Sequence, residues 1–258
     1  MSINRSEAIV LRARKVRDTS KIVVFFTQRF GKVSAIAKGS LRPKSKFGSS
    51  LEILTHSLII YYAKENRNVH TLSHSETLNP FSDIKADFAK LAYASVAVEL
   101  LERFAPPEEP NEGLFDLSIL ALREFDAAAR DELEVVLASY LLKMLHLVGY
   151  GPSLSNCVRC GKKVGDGDAS FGMLSGGVLC KACVDRDINV VGLDSDVLAL
   201  MRSFEKTTVK QVRKKSAPVN TSRRACDILA TFVRMVVGEG SRVKSLEFLE
   251  RIRESNYA

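Results

Sequence analysis

The sequence predicts an α+β protein of several modules: a small β-barrel at the amino end, then helices interrupted by a four-cysteine insert. Three observations carry that expectation. The hydrophobic period changes from two to about 3.6 near residue 80. Four of the five cysteines fall in two C-x2-C pairs separated by 19 residues. Formal charge is segregated along the 258 residues, basic at both ends and acidic in the middle.

Residues 1–78 form the first expected domain. Short runs rich in Ile, Val, Phe, Tyr and Thr occur at 7–16, 21–28, 32–38, 51–62 and 69–78, with turn residues such as Asp18-Thr19-Ser20 and Phe30-Gly31 between them. Five strands in so short a span, with no helical run long enough for a βαβ crossover, point to a closed or nearly closed barrel. The five-stranded OB-fold is a common barrel of that size and binds oligonucleotides on an exposed strand face and its loops. An SH3-like barrel has nearly the same strand count, and strand number does not decide between them.

Residues 79–152 form the first part of an expected helical domain. Ile84, Phe88, Leu91, Ala92, Val98 and Leu101 fall on one face of a helix that stops at Pro106-Pro107. A second helix can begin at Asn111 or Glu112 and bury Leu114, Leu117, Leu120 and Ala121. The third follows Asp131, a residue type suited to an N-cap, and buries Leu133, Val136, Leu137, Tyr140, Leu141 and onward to Val148. Gly149 is its stop, with Pro152 just beyond. The domain resumes in residues 191–258 with helices over 193–204, 222–237 and 243–253. In the middle one, Ala225, Ile228, Leu229, Phe232 and Val236 form the buried stripe.

The insert, residues 153–190, carries the sharpest chemistry. Cys157-Val-Arg-Cys160 and Cys180-Lys-Ala-Cys183 have the spacing of a structural zinc finger. Each pair makes a tight turn in which two thiolates converge on one tetrahedral ion, with Zn–S bonds of about 2.3 Å. Gly161 suits such a turn, and Arg159, Lys162, Lys163 and Lys181 can offset the doubly negative centre. Four protein ligands leave no open position, so one structural Zn is expected and not a catalytic one. The glycines at 165, 167, 172, 176 and 177 suggest two small β-turns between the pairs rather than a core. A redox C-x-x-C needs only one pair beside a βαβ unit, and two free buried pairs are the other, weaker reading. Cys226 sits in the 222–237 pattern as a buried thiol.

Residues 1–78 hold 14 Lys and Arg against 5 Asp and Glu, residues 79–155 hold 6 against 13, and residues 156–258 hold 18 against 12. Basic ends around an acidic middle suit a chain whose ends meet a polyanion. Lys38, Arg42, Lys44 and Lys46 lie in a loop that can follow a phosphate backbone; Phe47, which closes it, either offers a stacking face or plugs the barrel. Arg12 and Arg14 alternate onto one face of the first strand. Lys210, Arg213, Lys214 and Lys215, followed by Arg223 and Arg224, form a third basic cluster.

Enzyme classes find little support. No phosphate loop, H-E-x-x-H, G-x-S-x-G or deaminase pattern is present, and His56, His70, His74 and His146 are scattered. His70 and His74 are expected to be exposed on one strand face. A binding protein is favoured. No apolar run approaches the roughly 20 residues of a membrane helix. The first 20 residues carry Arg5, Arg12, Arg14, Lys15 and Arg17 without an apolar core, so a cytoplasmic chain with no membrane partner is expected.

At this point the residues carry a family resemblance. Phe25-Phe26-Thr27-Gln28-Arg29-Phe30-Gly31-Lys32-Val33 followed by Ala37-Lys38-Gly39, then Arg42-Pro43-Lys44-Ser45, resembles the barrel signature of the bacterial recombination mediator family RecO. Glu109-Pro110-Asn111-Glu112-Gly113-Leu114-Phe115 is similar to its helical motif. Leu145, Leu147, Gly149, Tyr150, Pro152 and Leu154, leading to Cys157, Cys160 and Gly161, resemble its approach to the finger; Lys244-Ser245 and Phe248-Leu249 resemble its end. One departure is Leu51-Glu52-Ile53-Leu54, where the family often has a Gln-Pro-Phe-like stretch. The resemblance implies an OB-fold amino-terminal domain, a helical domain and a zinc finger in a bacterial, nucleoid-associated protein. It implies binding of single- and double-stranded DNA, annealing without ATP, and loading of the recombinase onto strands coated by single-strand-binding protein. It also implies the partners RecR, the acidic tail of single-strand-binding protein and, indirectly, RecA. Two rival classes are a zinc-containing OB-fold RNA-binding or transcription factor, which would prefer RNA to DNA, and a zinc-stabilised nuclease, which would cleave with Mg²⁺.

Overall fold

The computed structural model describes every residue except 1, 17, 64–66, 166, 168, 215, 216, 239, 240 and 256–258, and of residue 255 the backbone alone. The chain divides into two compact units, Met1–Asp126 and Ala127–Ala258.

In the first unit, β1 (Ser2–Val16), β2 (Ser20–Thr27), β3 (Gly31–Ala37), β4 (His56–Ala63) and β5 (His70–Asn79) close into a barrel of order β1-β2-β3-β5-β4. The first half of β1 pairs with β4 and the second half with β2, with a register shift between Val10 and Arg12 that bends the strand around the barrel. A short parallel contact, Ala35 with His70 and Ile36 with Thr71, closes β3 on β5. This is the OB-fold arrangement, and it sets the SH3-like alternative aside. Val10, Val23, Phe25, Val33, Ala35 and Ile59 fill the interior.

The fourth strand begins later than the apolar run at 51 suggests. Gly48–Leu51 is a 3-10 turn, and Leu51 and Leu54 are buried while Ile53 is exposed. That i, i+3 burial belongs to a turn and not to a strand. Leu54, at φ 67°, reverses the chain into β4. With Phe47 also buried, residues 47–54 plug one end of the barrel.

The two strand histidines part company. Ile60 pairs with His74 but Tyr61 pairs with Leu72, so Ser73 is an unopposed bulge residue and the facing alternation slips by one. His70 is therefore buried, stacked on Tyr61 at 5.3 Å, and His74 is exposed.

The helices α1 (Ser82–Ala86), α2 (Phe88–Phe104) and α3 (Glu112–Ala127) complete this unit. The single helix expected across 84–101 is broken because the Asp87 carboxylate accepts from the N–H groups of Ala89 (2.8 Å) and Lys90 (3.2 Å), capping α2. Asn111 caps α3 through the Leu114 N–H at 2.9 Å. Gly31 ends the β2–β3 turn at φ +62°, where a Cβ would lie 2.2 Å from the Glu109 carbonyl oxygen. Only glycine lets the segment before α3 lie so close to the barrel.

The second unit is built on α4 (Leu133–Leu147), whose Val136, Leu137, Tyr140, Leu141, Met144 and Leu145 have no exposed surface. Asp131 is not its cap. Arg130–Glu132 forms a 3-10 turn instead, and the longer Glu132 side chain reaches back to accept from the Ala129 N–H at 2.8 Å. The insert holds β6 (Ala169–Gly172), β7 (Gly177–Leu179) and β8 (Val190–Leu193), paired in the order β7-β6-β8. The glycines do mark a hairpin, but the insert also has a small core, because Phe171, Val178 and Leu179 are buried. Phe171 packs edge-on against Phe232 at 5.4 Å. Then follow α5 (Ser195–Lys206), the short α6 (Val209–Lys214) that the periodicity does not reveal, α7 (Val219–Val237) and α8 (Lys244–Ser255). Arg253 of α8 is buried against Glu134 of α4, with its other nitrogen 2.8 Å from Asp227. Cys226 is a buried thiol, as expected. Among the described residues no helix is long and apolar enough to cross a membrane.

Candidate nucleic-acid interface and metal centre

The plugged barrel end carries the first basic group. Lys38, Arg42, Lys44 and Lys46 are all exposed in the connection between β3 and the plug. Among the described residues none of the four has a carboxylate partner. Their path is held by backbone bonds: Leu41 N–H donates to Thr19 O at 3.0 Å, Arg42 N–H to Gly39 O at 3.1 Å, and Ser45 N–H to Arg42 O at 3.0 Å. Phe47 is 3% exposed, so it is the barrel plug and not a stacking face. The Lys46 ammonium lies 5.4 Å from the Phe47 ring centroid, which positions that cation at the mouth.

Arg12 and Arg14 are both exposed on β1, as period two requires. They differ in company. Arg12 is ion-paired to Glu102 of α2 at 2.9 Å, whereas Arg14 lies two residue pairs closer to the β1–β2 turn. Hairpin register also brings together two cations that the pattern of exposed arginines does not single out: Lys15 stands directly opposite Lys21. The signal for them is their equal spacing about Asp18 in the turn.

A cavity of about 270 Å³ beside the barrel is lined by Ser2, Asn4, Phe30, Tyr61, His70 and Glu108. Its rings pack on one another, Phe30 edge-on to Tyr61 at 6.0 Å, and both Tyr61 and His70 are buried. Neither of those two rings presents a free face to a base.

In the second unit, Lys210 and Lys214 are exposed one turn apart on α6. Arg213 is drawn inward to pair with Glu132 at 3.0 Å. Lys215 lies outside the described residues. Arg224 is exposed and Arg223 half-buried on α7.

The four cysteines of the insert converge. All four sulfur atoms lie within 4.8 Å of one another, and Cys160 and Cys180 are 3.7 Å apart. A tetrahedral ion with sulfur bonds of about 2.3 Å needs sulfur separations of about 3.8 Å, so the site fits one metal ion. Two turns aim the thiols: Gly161 N–H donates to Cys157 O and Cys183 N–H to Cys180 O, both at 2.8 Å. Gly161 sits at φ +74°, the left-handed geometry that closes the first turn. Burial raises the Cys157 thiol, but the N–H groups of Cys180, Cys160 and Arg159 outweigh it and bring it down to about 6. Hydrogen bonding with Cys180, then burial, push Cys183 up to about 12. Sulfurs this close share their protons unevenly, and a divalent cation can take the protons' place. Arg159 is engaged by Asp187 at 3.7 Å, while Lys162, Lys163 and Lys181 are exposed around the centre.

The family model described as Recombination protein O N terminal matches residues 1–81, and that described as Recombination protein O C terminal matches residues 85–247. A Symbiobacterium thermophilum protein named DNA repair protein RecO is 28% identical over 257 residues, covering 99% of this chain and 100% of its own. A protein of the same name from Desulforamulus reducens is 29% identical over 259 residues, covering 99% and 97%. Another, from Listeria innocua, is 30% identical over 202 residues, covering 78% and 77%.

Proposed function

Because the chain belongs to the RecO family of DNA repair and recombination proteins, we propose that it is a DNA-binding recombination mediator whose barrel, residues 1–78, grips sugar–phosphate chains. The observation that carries this reading is the set of four exposed cations, Lys38, Arg42, Lys44 and Lys46, on an OB barrel without carboxylate partners among the described residues. OB barrels present such loops to oligonucleotides, and cations of this kind bind by releasing the counterions of the phosphates.

The protein binds single- and double-stranded DNA and anneals complementary strands without ATP. A cationic surface screens the repulsion between two phosphate chains while their bases pair. No bond chemistry is needed, and the protein is not an enzyme. Residues 153–190 act as a zinc finger in which Cys157, Cys160, Cys180 and Cys183 hold one structural Zn²⁺. Lys210, Arg213, Lys214 and Lys215 form a second set of DNA contacts, with Arg213 the weakest contributor because of its Glu132 pair. The partners RecR, the tail of single-strand-binding protein and, through them, RecA are carried over from the family resemblance.

The test is annealing of complementary oligonucleotides coated with single-strand-binding protein, without nucleotide, across a salt series. Faster annealing with the full chain than without it, fading as salt rises, is expected. No acceleration at low salt overturns the reading, and a preference for RNA over DNA in competition turns it toward the transcription-factor class.

A further inference from the structure

Part of the outer face of β1, β2 and β3, where OB barrels ordinarily take oligonucleotides, is occupied here by the protein's own helices, at the end toward the β2–β3 turn. Ile9, Val24 and Phe26 stand outside the barrel core, yet all three are buried. Phe115 of α3 lies 6.1 Å from Phe26. Glu102 of α2 pairs with Arg12 at 2.9 Å, and its backbone carbonyl accepts from the Lys32 ammonium at 2.7 Å. The segment 106–108 runs along the free edge of β3, with Glu108 N–H donating to Lys32 O at 3.1 Å. A polynucleotide reaches this covered part of the face only by prising those helices away.

Cations without such company lie beyond the covered zone. Lys15 is directly opposite Lys21, Lys21 is beside Ala37, and Lys38 follows Ala37 in the chain. Like charges directly opposite on neighbouring strands destabilise a sheet. Among the described residues neither lysine has a carboxylate partner. Asp18, in the turn between them, is exposed. The turn is tied to the basic loop, since Ser40 Oγ accepts from Lys21 N–H at 3.1 Å and Thr19 O from Leu41 N–H at 3.0 Å. The Lys15–Lys21 opposition thus stands at the same end of the barrel as the loop.

We propose that Lys15 and Lys21 hold backbone phosphate of DNA between them, and that the nucleic acid crosses this end of the barrel, from the lysine pair to Lys38 and Arg42, instead of running over the outer face of β1–β3. The inference rests on the reading of the barrel as a DNA-binding module. With Phe47 buried, the grip is on phosphate alone, so single strands and duplexes use the same contacts.

Fluorescence anisotropy of labelled single-stranded and duplex oligonucleotides, with the full chain across a salt series, tests it. The double variant K15A/K21A is expected to lower the steepness of the log–log salt dependence by about 1.4 on single strands and about 1.8 on duplex. Its melting temperature should hold or rise, because a like-charge pair is removed. K15R/K21R should restore the slope. Should the double variant fail to fold, Lys15→Gln at its exposed position reads half the change. An unchanged slope in the lysine variants, with a reduced slope when Lys38, Arg42, Lys44 and Lys46 are replaced, overturns this route and leaves the DNA-binding reading standing. Unchanged slopes in both sets overturn both.

Discussion

Replacing Lys38, Arg42, Lys44 and Lys46 together by Ala should remove most of the salt-dependent affinity of the barrel for DNA. The four side chains are exposed and have no carboxylate partner among the described residues, so no described carboxylate competes with phosphate for them. Each phosphate neutralised on a single strand contributes about 0.7 to the slope of log K against log salt. Four contacts therefore contribute about 2.8, and over one decade of salt the parent gains roughly 600-fold in affinity that the variant does not. The fold should survive. Phe47, the residue of this loop that enters the barrel, is left in place, and exposed substitutions of this kind usually change stability by less than about 0.5 kcal/mol. Anisotropy titrations from about 0.05 to 0.5 M salt, with melting curves as the folding control, measure both quantities. A slope within about 0.5 of the parent's, in a folded variant, would refute the assignment of this loop to the interface. A fall of only about 1.4 would mean that two of the four cations reach phosphate.

Three further outcomes follow from the packing and the ionisable groups. Chelation, or Cys157→Ser, should lower the melting temperature sharply, since a structural Zn²⁺ is worth about 10 kcal/mol or more in small fingers; identical melting with and without metal would remove the structural ion. Glu134→Gln removes a buried carboxylate that balances the Arg253 charge, and should cost about 3 kcal/mol in urea unfolding; a loss below about 1 kcal/mol would show that the pair is not desolvated. Burial lowers the His56 pKa, partly opposed by the Glu7 carboxylate at 2.9 Å and reinforced by Arg123. The unfolded chain then binds more protons, so stability present above pH of about 6.5 is lost as pH falls toward the folded value. His56→Gln should flatten that limb, and parallel stability curves for parent and variant would contradict it.

The barrel was legible because its strands obey period two and its turns carry their usual residues. What stayed hidden depends on contacts distant in sequence. The run Leu51-Glu52-Ile53-Leu54 has strand-like composition, and only the open end of a barrel turns it into a plug with Leu51 and Leu54 inward. The bulge at Ser73 separates His70 from His74, and no local pattern announces a bulge. Asp87 reads as one more polar residue in a helical stripe until its cap breaks the helix. The cysteine site needed no tertiary knowledge, since two turns of fixed spacing aim four thiols by themselves. The basic sites were legible as composition but not as company: Arg12 and Arg213 find carboxylates on α2 and on the 3-10 turn before α4, 90 and 81 residues away in the chain.

The burial of Phe47 bears on the proposed annealing more than any cation does. A protein that holds single strands by stacking their bases on exposed rings gains about 1–3 kcal/mol per base, and an incoming complement must first recover those bases. In this barrel the loop aromatic is inside, and the cations beside it are exposed. Tyr61 and His70 are packed face to face. A grip made of phosphate contacts leaves the base edges turned outward and the stacking faces free. It also treats the product duplex much as it treats the substrate strand, so the reaction is pulled forward by base pairing and not opposed by the protein's preference. Bringing the ring back to the surface should therefore tighten single-strand binding and slow annealing together. That opposition between affinity and rate is what a backbone-only grip demands.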